Sequence, residues 1–206
     1  MRQRKHWLLG GLLICLLAWA SFPAWAAGPE GQPWSLVFVV EDSAAMAQAW
    51  VESYRREAVE KALKLELRTL PLRISAAVWL AQIDGAKILI PPSSSSELKE
   101  TDPKLPQTTT ARANLLPALT QAAGWLQKRG GGSIIVIAAS QTQRGPALPA
   151  QFKADNIFCH VLALDPELKD GSLTGLALFG GGSYFMADKP NRVLTMLHRV
   201  VKTSFT

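Results

Sequence analysis

The pattern of hydrophobic and polar positions along the chain predicts several strands that are buried on both faces. Residues Ser35–Val40, Ser133–Ala139 and Asn156–Leu164 are nearly continuous runs of apolar, mostly β-branched or aromatic side chains. Runs of this kind are typical of parallel sheets, which helices cover on both sides. A shorter strand is predicted at Ser183–Met186, after the glycines of residues 180–182.

Between these runs, apolar side chains recur every three or four residues, which is the period of an amphipathic helix. The longest such segment extends from Ala44 to about Leu67, and Pro71 follows it. Further helices are predicted for Ala113–Lys128, for a stretch around Leu173–Phe179, and from Pro190 to about Lys202.

A β-hairpin is predicted after the first helix, because the strand-like segments Leu72–Ala81 and Ala86–Ile90 flank the turn-forming pair Asp84-Gly85. The Ser- and Thr-rich segment Pro91–Thr110 is expected to be an exposed loop, either a solvated connection or a binding loop. The whole pattern predicts a three-layer α/β domain: a doubly wound, mostly parallel, six-stranded sheet with one antiparallel edge strand.

The first residues are typical of an export signal. Arg2, Arg4 and Lys5 precede the apolar, uncharged run Trp7–Ala20, and Ala24-Trp25-Ala26 places small residues where a signal peptidase cuts. We expect residues 1–26 to be a signal peptide, residues 27–34 a linker and residues 35–206 the folded domain. The alternative is an uncleaved anchor, although the run is shorter than the ~20 residues that cross a bilayer comfortably.

Composition and charge narrow the class of function. The 206 residues are 48% hydrophobic and 18% charged, which indicates a packed core. The formal net charge is +6, but without Arg2, Arg4 and Lys5 it falls to +3, and no cluster of cations with interleaved aromatics remains. We therefore expect no nucleic-acid binding, and membrane contact only through an uncleaved signal peptide. After residue 26 only Cys159 remains, so an intrachain disulfide is excluded.

Candidate chemistry is sparse. Glu41 and Asp42 are adjacent carboxylates at the end of a central strand, where open α/β sheets bind ligands. Alternatively, Asp42 or Ser43 caps the following helix. Cys159 and His160 are neighbours in a strand and should point to opposite faces, which argues against a catalytic pair. Because neither a nucleophile nor a partnered pair of carboxylates is visible, we do not expect an enzyme.

Four short segments carry a family resemblance. The segments are Val39–Met46 after the first strand, Ala111–Leu115 before a helix, Ile135–Ser140 at the end of a strand, and Leu176–Phe185 around the last glycines. In order and spacing they resemble the D-x-S-x-S, threonine, T-D-G and Gly-Gly segments of von Willebrand factor type A domains. The resemblance runs from about Ser35 to the C terminus and implies the fold given above.

The same resemblance implies that the family's metal-ion-dependent adhesion site is dismantled. Metal-binding members use two serines, a threonine and two aspartates, and the ion keeps a position open for an acidic group on a partner. Here Glu41 stands at the first aspartate and Ser43 at the first serine, whereas alanines replace the other three ligands, at positions 45, 113 and 139. Since a magnesium-like ion needs several hard oxygen ligands, we expect neither a metal nor another cofactor.

The signal peptide predicts export to the periplasm or the cell exterior. The resemblance, together with the absence of catalytic groups, implies a non-catalytic module that binds a protein partner without a metal, with an accessory role in assembling an envelope complex as one expectation. Two alternatives stay open: metal-dependent adhesion through a non-standard ion site at Glu41, Asp42 and Ser43, and an envelope hydrolase. The expected binding edge combines the segments 91–114 and 140–144 with nine residues: Glu41, Asp42, Ser43, Ala45, Arg112, Ala113, Asn114, Ala139 and Ser140.

Overall fold

The computed structural model describes residues 34–50, 53–107, 112–140, 152–165 and 171–205. The expected signal peptide, the linker up to residue 33 and most of the segment 140–144 lie outside these ranges. Within them, no helix combines the length and apolar character that crossing a bilayer would require.

The described strands form a six-stranded sheet in the order β3-β2-β1-β4-β5-β6. All neighbouring pairs are parallel except β2 and β3, which form the predicted hairpin. The predicted fold class is therefore confirmed. The strands are β1 (Trp34–Glu41), β2 (Ile74–Ala81), β3 (Ala86–Ser94), β4 (Gly132–Ala138), β5 (Ile157–Ala163) and β6 (Gly181–Met186).

Helices cover both faces of the sheet and bury two separate apolar clusters. The helices of the described ranges are α1 (Arg55–Thr69), α2 (Ser95–Leu98), α3 (Leu115–Gln127), α4 (Gly171–Phe179) and α5 (Pro190–Thr203). On one face, α1 and α5 share an apolar cluster with the even-numbered residues of β1 from Leu36 to Val40, including Phe38. On the other face, α3 packs on β1 at Val37 and Val39, and α4 packs on β5 and β6. This alternation explains why β1 is apolar at nearly every position.

Helix α1 begins at Arg55 and not at Ala44, so the predicted start of the long helix was wrong. Residues 43–47 instead form successive turns, in which Met46 N donates to Ser43 O (3.0 Å) and Ala47 N donates to Ala44 O (3.1 Å). An isolated bridge between Ala49 and Tyr54 then leads into the helix. The segment after β1 is consequently a folded loop at the end of the sheet.

The segment predicted as a loop from Pro91 to Thr110 is partly regular. Its first four residues continue β3 to Ser94, and the short helix α2 follows. Two prolines are tolerated there because β3 is an edge strand, whose outer side needs no hydrogen-bond donors. Since β3 runs antiparallel to β2, with Ser94 opposite Ser75, residues 91–98 lead away from the edge at which Glu41 lies. This part of the expected binding loop was therefore misplaced.

Candidate functional site

The candidate site lies where the order of the strands reverses. The chain passes from β1 to β2 on one side and resumes with β4 on the other, so β1 and β4 are neighbours at the centre of the sheet. Their carboxyl ends meet at the same edge, because the two strands are parallel, with Val40 opposite Ile137. This is the position at which open α/β sheets bind ligands. We call it the carboxyl edge.

The Glu41 carboxylate joins the ends of β1 and β4. One oxygen, Oε2, accepts hydrogen bonds from the backbone N–H groups of Ala139 (2.6 Å) and Ser140 (2.9 Å). The other oxygen, Oε1, accepts from the Ser140 hydroxyl. Glu41 is 1% exposed, so these donors take the place of solvent around its charge. We call this arrangement the Glu41 clasp; it is the principal contact of the site.

A second chain of hydrogen bonds joins Asp42 to the loop before α3. Gln82 Nε2 donates to Asp42 Oδ2 (2.8 Å), and the carbonyl oxygen of Gln82 accepts from Asn114 N (3.2 Å). Asp42 N in turn donates to Ala81 O (2.9 Å). Sequence reasoning did not identify Gln82, although its position directly after β2 corresponds to that of Asp42 after β1.

The capping role considered for Asp42 or Ser43 does not occur, because no helix starts at this point. The residue before α1 is Tyr54, and no side chain caps it. The side chain that does cap a helix here is Asn114, whose Oδ1 accepts from Leu116 N (3.1 Å) at the start of α3. Asn114 therefore belongs to the site through its backbone, while its side chain serves the helix.

Arg55 fixes the loop between β1 and α1. Its guanidinium donates to Asp165 Oδ2 (2.7 Å), two residues after the end of β5, and to Ala45 O (3.2 Å). It also donates to Gln48 Oε1 (3.3 Å) and lies over the Trp50 ring, 5.6 Å from its centroid. Arg55 is buried, so this is a desolvated ion pair with further hydrogen bonds. Sequence reasoning missed both charged partners, since they are far apart in the chain.

The remaining predicted site residues differ in exposure. Ala113 and Ala139 are buried, Ala45 is half-buried and Arg112 is exposed. Ser43 is fully buried, and its hydroxyl has no hydrogen-bond partner among the described residues. The structure thus brings the ends of β1 and β4 and the start of α3 to one edge, with methyl groups at three of the family's ligand positions.

These residues do not fit a divalent ion of the adhesion-site type. Both oxygens of Glu41 already accept hydrogen bonds from protein donors, and Asp42 is bonded to Gln82. The alanines at positions 45, 113 and 139 have no oxygen to offer, and within the described part of the chain no three His, Cys, Asp or Glu side chains converge. An ion that dehydrates reluctantly would find one hydroxyl and two engaged carboxylates.

Cys159 and His160 do not form a reactive pair. Cys159 packs among the apolar residues beneath α3 and α4, and burial raises the pKa of its thiol. His160 is adjacent in β5 and so points to the opposite face, where its Nδ1 accepts from Ser183 N (3.2 Å). Burial lowers the pKa of His160 to about 4, so the ring is neutral at pH 7.

Comparison with solved structures agrees with this architecture. An aerotolerance-related membrane protein from Bacteroides fragilis has a TM-score of 0.57 and 16% identity, over 82% of this chain and 98% of that one. The SpRpn10 VWA domain has a TM-score of 0.60 and 9% identity, over 81% and 94%. Proximal thread matrix protein 1 from the mussel byssus, with a zinc-occupied MIDAS motif, has a TM-score of 0.64 and 14% identity, over 83% and 45%.

The resemblance seen in the sequence is thus confirmed at the level of fold: the chain is a divergent domain with the von Willebrand factor type A fold. It spans less than half of the mussel protein, and identities this low show the fold alone. No family model matches the sequence, and no curated protein matches it.

Proposed function

We propose that the chain is an exported, non-catalytic protein-interaction module that binds a protein partner through its carboxyl edge without a metal ion. The observation that carries this proposal is the Glu41 clasp. In the proposal, residues 1–26 are a cleaved signal peptide, residues 27–34 a linker and residues 35–206 the binding domain. An accessory role in assembling an envelope complex is the setting that suits an exported module without catalytic groups.

The clasp supports metal independence because protein groups alone join the loops after β1 and β4. In metal-binding members of the family, a bound ion would make this connection. A bound ion would draw the loops after β1 and β4 together by accepting electron pairs from both. Here Glu41, at the end of β1, holds the backbone of Ala139 and Ser140 directly. A partner would therefore meet a preformed edge and need not provide a carboxylate to complete a coordination shell.

The exposed surface around the clasp suits recognition of a protein by contact. Tyr54, directly before α1, is 50% exposed, and Ile83, in the turn between β2 and β3, is 51% exposed. Ala44, Ala49 and Arg112 are exposed beside them. Apolar and aromatic side chains with a single cation are typical of protein interfaces, where Tyr and Arg are enriched.

The engaged state of the carboxylates supports a non-catalytic role. A general base must have an oxygen within reach of a substrate proton. Glu41 is 1% exposed and Asp42 is 6% exposed, and both accept hydrogen bonds from the protein. Hydrolysis would require one of these carboxylates to leave its partners first.

Site-specific photocrosslinking in the native cells tests the proposal. A photoreactive residue replaces Ala44 or Ile83 at the carboxyl edge, and Leu65, 45% exposed on α1, serves as the control. We expect both edge positions to give one adduct of the same mass, and the control to give none. Equal adducts from Leu65, or no adduct from either edge position of the exported chain, would rule out this edge as the binding surface.

One observation favours the metal-dependent alternative. Ser43 occupies a ligand position of the family, and its buried hydroxyl has no partner among the described residues. An ion held by Ser43, Asp42 and Glu41 would have to displace the donors of the clasp. Metal-dependent unfolding separates this alternative from the proposal.

A further inference from the structure

Exposed cations collect at the end of the sheet opposite the candidate site. This amino edge consists of the turns that precede β2, β4, β5 and β6, together with the end of α5. Its exposed charged side chains are Arg73, Lys128, Arg129, Lys153 and Lys202. The acid that the described residues place in the same turns is Asp155, which is half-buried and accepts from Gln127 Nε2 (3.2 Å). The exposed acids Glu97 and Glu100 follow the end of β3, which pairs with the start of β2, and so lie at the outer end of the same edge.

Large apolar side chains protrude between these cations. Leu72 is 72% exposed and Phe179 is 70% exposed, the two highest values among the large apolar side chains of the described ranges. Leu72 lies beside Arg73 in a tight turn, in which Arg73 has φ of 77°. Phe179 ends α4, two residues before Gly181, over which the side chain of Lys153 lies. Both apolar side chains therefore sit within the cationic set.

The amino edge is broad. From the start of β2 to the start of β6 there are four strand intervals, or about 20 Å at the usual strand spacing. The rings of Trp34 and Phe158 stack across the glycine-rich start of β4, with centroids 6.4 Å apart. A broad cationic surface with protruding apolar side chains suits an extended anionic interface better than a small ligand.

Strand β1 starts at Trp34, so the preceding residues join the domain at the amino edge. The uncharged run Trp7–Ala20 ends 14 residues before Trp34, a length that spans at most about 50 Å. As long as the signal peptide of the proposed function is uncleaved, the amino edge would therefore be within reach of the headgroups of the membrane that holds the run.

We propose that the amino edge is a membrane-facing surface that binds the headgroups of anionic phospholipids through these five cations, with Leu72 and Phe179 entering the interface. The carboxyl edge would then point away from the membrane. This inference does not depend on the function proposed for the carboxyl edge.

Co-sedimentation with lipid vesicles tests the inference. The full chain is expressed with a tag after Thr206 and purified with whatever N-terminal processing the cells have carried out. It is then mixed with vesicles of phosphatidylcholine with or without phosphatidylglycerol. Two triple variants remove the same charge from different places. The edge variant carries Arg73→Ala, Lys128→Ala and Lys153→Ala, and the matched control carries Lys61→Ala, Lys87→Ala and Lys189→Ala, which are exposed lysines away from the amino edge.

We expect the wild type and the control to prefer vesicles that contain phosphatidylglycerol. The edge variant should bind those vesicles about 100-fold more weakly, because each cation near an anionic surface contributes roughly a fivefold factor. Added salt should weaken the preference. At high salt, where the apolar contribution remains, the double variant Leu72→Ser with Phe179→Ser should bind these vesicles more weakly than the wild type.

Three results would overturn the inference. Equal losses in the two triple variants would mean that net charge alone matters. Equal binding to both kinds of vesicle would mean that the N-terminal run carries the association. A loss of binding to a DNA duplex in the edge variant, without a loss on vesicles, would assign the surface to nucleic acid.

Discussion

The Glu41 clasp makes a quantitative prediction about stability. Glu41→Ala removes the acceptor for two backbone N–H groups and one hydroxyl, and the N–H group of Ala139 is buried. Each buried donor left without a partner costs about 1–3 kcal/mol, and bonds to a charged acceptor lie at the upper end. We therefore expect a loss of about 4 kcal/mol, which lowers the Tm of a domain this size by roughly 8–16 °C.

Two further variants show whether the lost hydrogen bonds cause the destabilisation. Glu41→Gln keeps an oxygen that can accept from both N–H groups and an amide that can donate to the Ser140 hydroxyl, so it should cost less than about 1.5 kcal/mol. Glu60→Ala is the matched control, because Glu60 Oε1 accepts a single backbone bond, from Leu105 N (2.8 Å), and should cost about 1 kcal/mol.

Urea unfolding of the domain from Ala27 on, followed by circular dichroism, measures all three variants. If Glu41→Ala costs no more than Glu60→Ala, the clasp does not hold the two strand ends together. If Glu41→Gln costs as much as Glu41→Ala, the carboxylate charge and not the set of hydrogen bonds is responsible.

Three other predictions follow from described contacts. Arg55→Met should cost about 2–4 kcal/mol by leaving Asp165 without its ion pair, and the double variant with Asp165→Asn should cost at least 1 kcal/mol less than the sum of the single variants in a double-mutant cycle. Burial depresses the pKa of His160 to about 4, so the folded state keeps the ring neutral. The contribution of the neutral ring to the free energy of unfolding is complete above pH 6.5 and is lost as the pH falls toward 4. Between pH 7 and pH 5 the wild type should lose about 2 kcal/mol more than His160→Gln in urea unfolding. Gly132→Ala should cost more than about 2 kcal/mol in urea unfolding, because φ is +145° and a Cβ would collide with Ser35 O, whereas Gly124→Ala has open space in α3 and should stabilise by about 0.5–1 kcal/mol.

The strands were predictable from the sequence because burial on both faces leaves a pattern within each strand's own residues. A strand covered on both faces must be apolar at nearly every position, and the run at residues 35–40 marks β1 to within one residue at each end. The same holds for β4 and β5. The hairpin was predictable from the Asp84-Gly85 pair between two strand-like runs.

The start of α1 was not predictable, because a distant contact overrides a valid helical pattern. Met46 and Trp50 lie at helical spacing with the apolar residues of α1. However, Arg55 donates to both Ala45 O and Asp165, which lies after β5, and these bonds tie the segment before the helix into a folded loop. Periodicity carries no information about a partner 110 residues away.

The site was predictable in location but not in its contacts. Glu41 was expected at the ligand-binding edge because it ends a central strand. The groups that it meets depend on the register of β1 on β4, which brings Ala139 and Ser140 beside it. That register is set by packing across the sheet, and the sequence of neither strand specifies it alone.

The most direct test of the central claim is thermal unfolding of the domain from Ala27 on, in EDTA and then in excess magnesium, manganese, calcium or zinc. As a positive control, a variant restores the family's ligand pattern with Glu41→Asp, Ala45→Ser, Ala113→Thr and Ala139→Asp. A metal at ~100 times the Kd of its site adds about 2.7 kcal/mol to the free energy of unfolding, which raises the Tm by roughly 5–10 °C. We predict superimposable curves for the wild type and a shift of that size for the restored variant. A shift in the wild type that Glu41→Ala abolishes would contradict a metal-independent edge.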